Sequence, residues 1–105
     1  MASTFKALYR GFAPTSASSV YTVPSATKTL VTNIVVSNQS TSSRTFTINL
    51  FNGSTDVPLA SGTIVPGNDS VIIDAKTLLE TGNIIRVLAS ASATVAMHIS
   101  GLELT

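Results

Sequence analysis

The chain has no cysteine and no tryptophan, few charges and no long apolar run. Without cysteine there are neither disulfides nor thiolate metal sites, and the redox compartment is left open. Charged residues make up 10% of the 105 positions, against a usual share of about 25%. A net charge of +1 supplies little of the long-range field that draws nucleic acid or an anionic membrane. It also weakens the mutual repulsion that keeps free monomers apart, so a life inside an assembly is expected. No apolar stretch approaches the roughly 20 residues that span a bilayer. Residues 1–12 lack the apolar core of a signal peptide, so synthesis in a cytoplasm without a cleaved signal is expected.

Catalytic residue types are equally sparse. His98 is the only histidine, and alternation puts it opposite Met97 and Ile99, as a structural residue at or near the surface. The acids Asp56, Asp69, Asp74, Glu80 and Glu103 stand singly, with no spacing that suggests an acid–base pair or a calcium loop. No phosphate-binding glycine loop, nucleophile elbow or zinc-ligand spacing occurs. The basic residues Lys6, Arg10, Lys28, Arg44, Lys76 and Arg86 are dispersed, where a nucleic-acid surface needs a concentrated stripe. Three Asn-x-Ser triplets, at Asn38, Asn52 and Asn68, are read as turn chemistry, because Asn and Ser bond their own backbone in turns. No enzyme activity, cofactor, metal, membrane, nucleic-acid or small-molecule partner is expected.

What the chain does have is β-branched and hydroxylic residues, with serine and threonine filling thirty positions. The organising stretch is Lys28–Phe51, in which the apolar runs Leu30–Val36 and Phe46–Phe51 flank a polar loop. Phe46, Ile48 and Leu50 alternate with Thr45, Thr47 and Asn49, the mark of a strand with one wet face. The first run is read with Leu30, Ile34 and Val36 on one face and Val31 and Val35 on the other, as in a strand near a sheet centre. Val20–Val23 is a short strand stopped by Pro24. Asn52-Gly53 and Pro66-Gly67-Asn68-Asp69 are turns, with Gly67 suited to the left-handed position. Val57–Val65, interrupted by Pro58 and Gly62, reads as a short bulged edge strand, followed by a strand at Ser70–Asp74. Asp74–Gly82 reads as one short helical turn, capped by Asp74 and closed by Gly82. Ile84–Ala89 and Val95–Leu104 are the last strands, with a bulge at Gly101 after which Leu102 and Leu104 turn inward.

The count is an all-β fold: an antiparallel β-sandwich, jelly-roll or Ig-like, of seven to eight short strands with one short helical turn. Residues 1–14 form an N-terminal arm or edge strand and residues 15–105 the sandwich. Phe5, Lys6, Leu8, Tyr9, Arg10 and Phe12 are the densest aromatic and basic grouping. Phe5, Tyr9, Arg10 and Phe12 are the expected partner-binding residues, since aromatics and Arg dominate interface hot spots.

The segments Leu8-Tyr9-Arg10, Val20-Tyr21-Thr22-Val23-Pro24, Thr32-Asn33-Ile34-Val35-Val36-Ser37-Asn38 and Met97-His98-Ile99-Ser100-Gly101-Leu102-Glu103 together resemble small virion structural proteins of tailed bacteriophages. The likeness covers most of the chain but consists of strand and turn residues, so it carries over no active site. It implies a multi-copy virion component made in the host cytoplasm, first a capsid decoration (cement) protein. Such a protein would form a homo-oligomer, expected as a trimer, on the major capsid protein. A neck, tail or baseplate protein is the structural alternative. A carbohydrate- or host-surface-binding module is a third, disfavoured by the absence of Trp and the presence of only two Tyr.

Overall fold

A computed structural model describes residues 3–91 and 93–105. Nine strands follow in order: β1 (Ser3–Phe12), β2 (Ser18–Thr22), β3 (Lys28–Asn38), β4 (Arg44–Phe51), β5 (Asp56–Val65), β6 (Ser70–Ile73), β7 (Thr77–Leu79), β8 (Ile84–Ala89) and β9 (Val95–Leu104). They form two antiparallel sheets. One has the order β1-β9-β3-β6, with β7 also on β3; the other has the order β2-β8-β4-β5. The nested pairing, β1 with β9, β2 with β8, β3 with β6 and β7, and β4 with β5, is that of one long ribbon rolled back on itself. Of the two sandwich topologies open from the sequence, this is the jelly roll.

Alternation builds the core. Phe46 and Ile48 from β4, Ile85 and Val87 from β8, and Ile34, Val36, Met97 and Ile99 from the facing sheet are fully buried. Each such side chain contributes roughly 1.5–3 kcal/mol on leaving water. Bulges in four strands set which residues face this core, the one in β2 lying at Val20. In β1 and β3 the register against β9 slips at Leu8 and at Thr32, so both neighbours of β9 carry an extra residue, on either side of the Ser100 level. In β5 the register slips twice, near Gly62 (φ +59°) and Pro58. That strand is longer than expected, and its bulges and proline blunt the free edge of its sheet.

The bulges overturn several expectations. Thr32 shifts the parity of β3, so Val31 joins Ile34 and Val36 inside while Leu30 faces out. β9 itself is unbulged and alternates through Gly101. Leu102 and Leu104 therefore stay outside, and Glu103 turns toward the sandwich interior. The helical turn at Asp74–Gly82 does not form. Thr77–Leu79 instead pairs with Thr29–Val31, the length of β3 that β6 leaves free, and Leu79 is buried while Leu78 faces out. Three residues of ladder satisfy backbone groups that a single isolated turn would leave open. Asp74 caps nothing here and pairs with Lys76 at 3.4 Å. At the turn before β6 the left-handed residue is Asn68 (φ +54°), not Gly67. Gly67 is needed for a different reason: a Cβ there would collide with the Thr41 carbonyl.

The three Asn-x-Ser asparagines all serve turns. Asn52 Oδ1 accepts the Ser54 and Thr55 N–H groups, Asn68 N–H donates to the Ser40 carbonyl, and Asn38 is buried within the loop it organises.

Candidate interaction surface

The register across the five-stranded sheet places its outward side chains in rows. Phe5, Leu102, Leu30 and Leu78 lie side by side on β1, β9, β3 and β7. Four large apolar residues thus run across the sheet on the side away from the core. One level of small or polar residues follows, Ala7, Ser100 and Asn33. Next come Arg10, His98, Val35 and Ile72, then Phe12, Ala96, Ser37 and Ser70. Of the six large apolar residues most exposed among the described residues, four are on this face: Phe5 at 87%, Ile72 at 69%, Leu78 at 49% and Phe12 at 46%. The other two, Val57 and Ile64, lie on the blunted edge strand β5.

The four-stranded sheet shows water a different surface. Its outward middle row is Ser19, Arg86 and Asn49. Arg86 lies 4.4 Å over the Phe51 ring and 3.2 Å from Asp56, which covers that aromatic with a paired cation. Contiguous exposed apolar area is uncommon on a monomer and marks contact surfaces. By that measure, the outer face of the five-stranded sheet is the candidate site.

Residues 3–12 pair with β9 along their length. Of the expected partner-binding residues, Phe5, Arg10 and Phe12 project from the outer face. Tyr9 does not join them: the extra residue at Leu8 turns it inward, where it packs on the core edge. Its hydroxyl donates to the Phe12 carbonyl at 3.0 Å, so it holds the strand end that presents Phe12. Lys6, Lys28, Lys76 and Arg86 each have an acidic partner, Glu103, Glu80, Asp74 and Asp56 respectively. Among the described residues Arg10 and Arg44 have none. Arg10 borders a shallow, open depression of about 320 Å³ lined also by Phe5, Lys6, Ala7, Thr32 and Ser100. His98 is exposed beside Arg10, and no cluster of three His, Cys, Asp or Glu occurs among the described residues.

Leu30, Leu78 and Leu102 are the members of this surface that sequence reading missed, while alternation already set Val35 and Ile72 opposite their core-facing neighbours. The available signal was the doublets Leu30-Val31 and Leu78-Leu79. In a strand, adjacent large apolar residues must point to opposite faces, so one of each pair has to lie outside.

A polar group stands at the end of the sandwich where β1, β2, β3 and β9 meet. The Tyr21 hydroxyl donates to Glu103 Oε2 at 2.5 Å and lies 2.8 Å from Thr29 Oγ1, while Lys6 Nζ is 3.5 Å from the same carboxylate oxygen. Burial, reinforced by the bond to Glu103, pushes the Tyr21 phenol up to about 12. A phenol whose folded value exceeds its unfolded value, about 10, lends stability that is complete below pH 10. That stability is lost as pH rises through 12. Unfolding free energy should therefore fall between pH 10 and 12, and Tyr21→Phe should flatten that fall. Urea titrations at pH 8, 10 and 11.5 check this; an equal alkaline decline in both proteins would contradict it.

No protein-family model and no curated protein matches the sequence. Among solved structures, the chain is similar to a chain in the structure of the infectious bursal disease virus Gx strain, with a TM-score of 0.53 and 10% identity. The match covers 97% of this chain and 31% of that one, so the protein spans about a third of the viral chain's length. What the two share is the fold: the whole of this β-sandwich superimposes on part of a chain from a virus structure.

Proposed function

We propose that the chain is a structural protein of a virus particle, specifically a bacteriophage capsid decoration (cement) protein. It would act in many copies, binding the major capsid protein and other copies of itself and stabilising the shell. The observation that carries this reading is the outer face of the five-stranded sheet, which leaves Phe5, Ile72, Leu78 and Phe12 exposed on a rigid jelly roll. Such a face gains free energy by being covered, about 25 cal/mol per Å² of apolar area. Repetition around a shell multiplies modest individual contacts into firm attachment. The low charge, the virion-protein motifs and the fold likeness to a viral chain support the same assignment.

Electron cryo-microscopy of the purified particle tests it. Density for this sandwich repeated over the capsid surface is the expected result. A single ring of copies at the neck or tail would replace the decoration role by the tail role. Absence from the particle, with reproducible sugar binding on a glycan array, would overturn the structural reading altogether.

A further inference from the structure

We infer that the outer face of the five-stranded sheet pairs with the same face of a second copy, across a two-fold axis running along the strands. This rests on the contact surface proposed above and names its occupant. Rotation about such an axis reverses the order of the strands while keeping each row at its own level. The Phe5–Leu102–Leu30–Leu78 row therefore meets itself end to end, with Phe5 over Leu78 of the second copy and Leu102 over Leu30. The two exposed ends of the row, Phe5 and Leu78, thus cover one another. Self-complementarity of this kind is what an isologous two-fold contact requires.

Charge and area agree. On the β1 side of the face Arg10 has no acidic partner among the described residues, while Lys6 points to the inner side of the sheet and pairs with Glu103. The β6–β7 side carries Asp74 and Glu80, paired with Lys76 and Lys28 respectively. The rotation sets Arg10 of each copy over Ile72 of the other, one outward position along the chain from Asp74. Three strands of about ten residues, with the short β6 and β7 sharing the fourth position, lie roughly 4.8 Å apart and present on the order of 600 Å² per copy. Two copies then bury about 1,200 Å², enough to clear the roughly 1,000 Å² expected of a specific interface. Twisted sheets pack face to face with strands within about 30°, which this axis permits. A three-fold arrangement would need a second, different surface opposite the row, and the outer middle row of the other sheet is polar.

The test uses the full chain and three exposed positions. Phe5→Lys and Leu78→Glu should each weaken the dimer by roughly 30-fold, the loss of a large apolar contact and the burial of a charge. Both should keep the unmodified near-ultraviolet circular dichroism. The double variant Phe5→Lys/Leu78→Glu should associate more tightly than either single one, because each new lysine then meets the new glutamate of the other copy. Ile64→Lys, on β5, should leave association unchanged. Dissociation constants from sedimentation velocity supply the readout. A double variant no stronger than the singles, a three-copy species, or disruption by Ile64→Lys alone would overturn the inference. A chain found on particles but lacking this dimer would sink the two-fold pairing and leave the decoration role standing. A dimer absent from every particle would do the reverse.

Discussion

Replacing Asn38 by Leu should lower the unfolding free energy by about 3–4 kcal/mol and the melting temperature by about 15–25 °C. Asn38 is 2% exposed. Its Nδ2 group donates to the carbonyls of Ser42 at 2.8 Å, Val65 at 3.1 Å and Pro66 at 3.3 Å. Its Oδ1 accepts the Ser40 N–H at 2.9 Å, and its own N–H reaches the Asp69 carbonyl at 2.9 Å. One side chain thus ties the β3–β4 loop to the end of β5 and the turn that follows. Gly67 lies against Thr41 in the same knot. Leucine has the same branched arrangement of side-chain heavy atoms but is bulkier and offers no hydrogen bond, so several polar backbone groups lose their partner where water enters poorly. Each such orphan costs about 1–3 kcal/mol, and the more open carbonyls will recover part of that from solvent. Asn38→Asp should be at least as damaging at neutral pH, because a carboxylate cannot donate to any of the three carbonyls. Differential scanning calorimetry measures the effect. A loss under 1 kcal/mol would mean that the loop is held by other contacts.

Gly101→Val is the second large effect, about 3 kcal/mol or more, through overpacking against atoms that cannot yield. A Cβ at Gly101 would lie 2.5 Å from the Leu30 carbonyl oxygen and 2.9 Å from Leu8 Cδ1. The first of these belongs to the backbone of a central strand, held on both sides by ladder bonds. Relief requires β3 or β9 to move, and both carry the outward row of Leu30 and Leu102. The variant should therefore lose association as well as stability. Denaturant unfolding reads the first effect and sedimentation the second. A folded Gly101→Val protein of unchanged stability would show that the close approach of β9 to its bulged neighbours is not a packing constraint.

These two sites also show how much of the molecule was legible in advance. The period-two alternation of β4 and β9 identified Phe46, Ile48, Met97 and Ile99, and turn chemistry identified Asn52-Gly53. Both signals are local, fixed by a residue and its immediate neighbours. The outer face was not legible, because its composition depends on bulges at Leu8 and Thr32. A bulge is set by how strands fit across a sheet, and one extra residue moves every later side chain to the opposite face. Leu30 was placed inside because the bulge at Thr32 was not foreseen, and Leu102 because a bulge was expected at Gly101, where β9 has none. Leu78 was missed because Asp74 and Gly82 bracket it with good helix-ending residues, while the free length of β3 that captures Thr77–Leu79 lies nearly fifty residues upstream. Phe5, Arg10 and Phe12 were singled out by residue type, and the register places all three on one surface. Tyr9 shares their chemistry but not their side of the strand.

The most direct test of the central claim, that the apolar outer row is an interface between copies, is the sedimentation-equilibrium mass of the unmodified chain across a range of concentrations. A mass rising from 10.9 kDa toward twice that value, and no further, is the predicted result. A mass fixed at that of one chain up to the highest soluble concentration would contradict it.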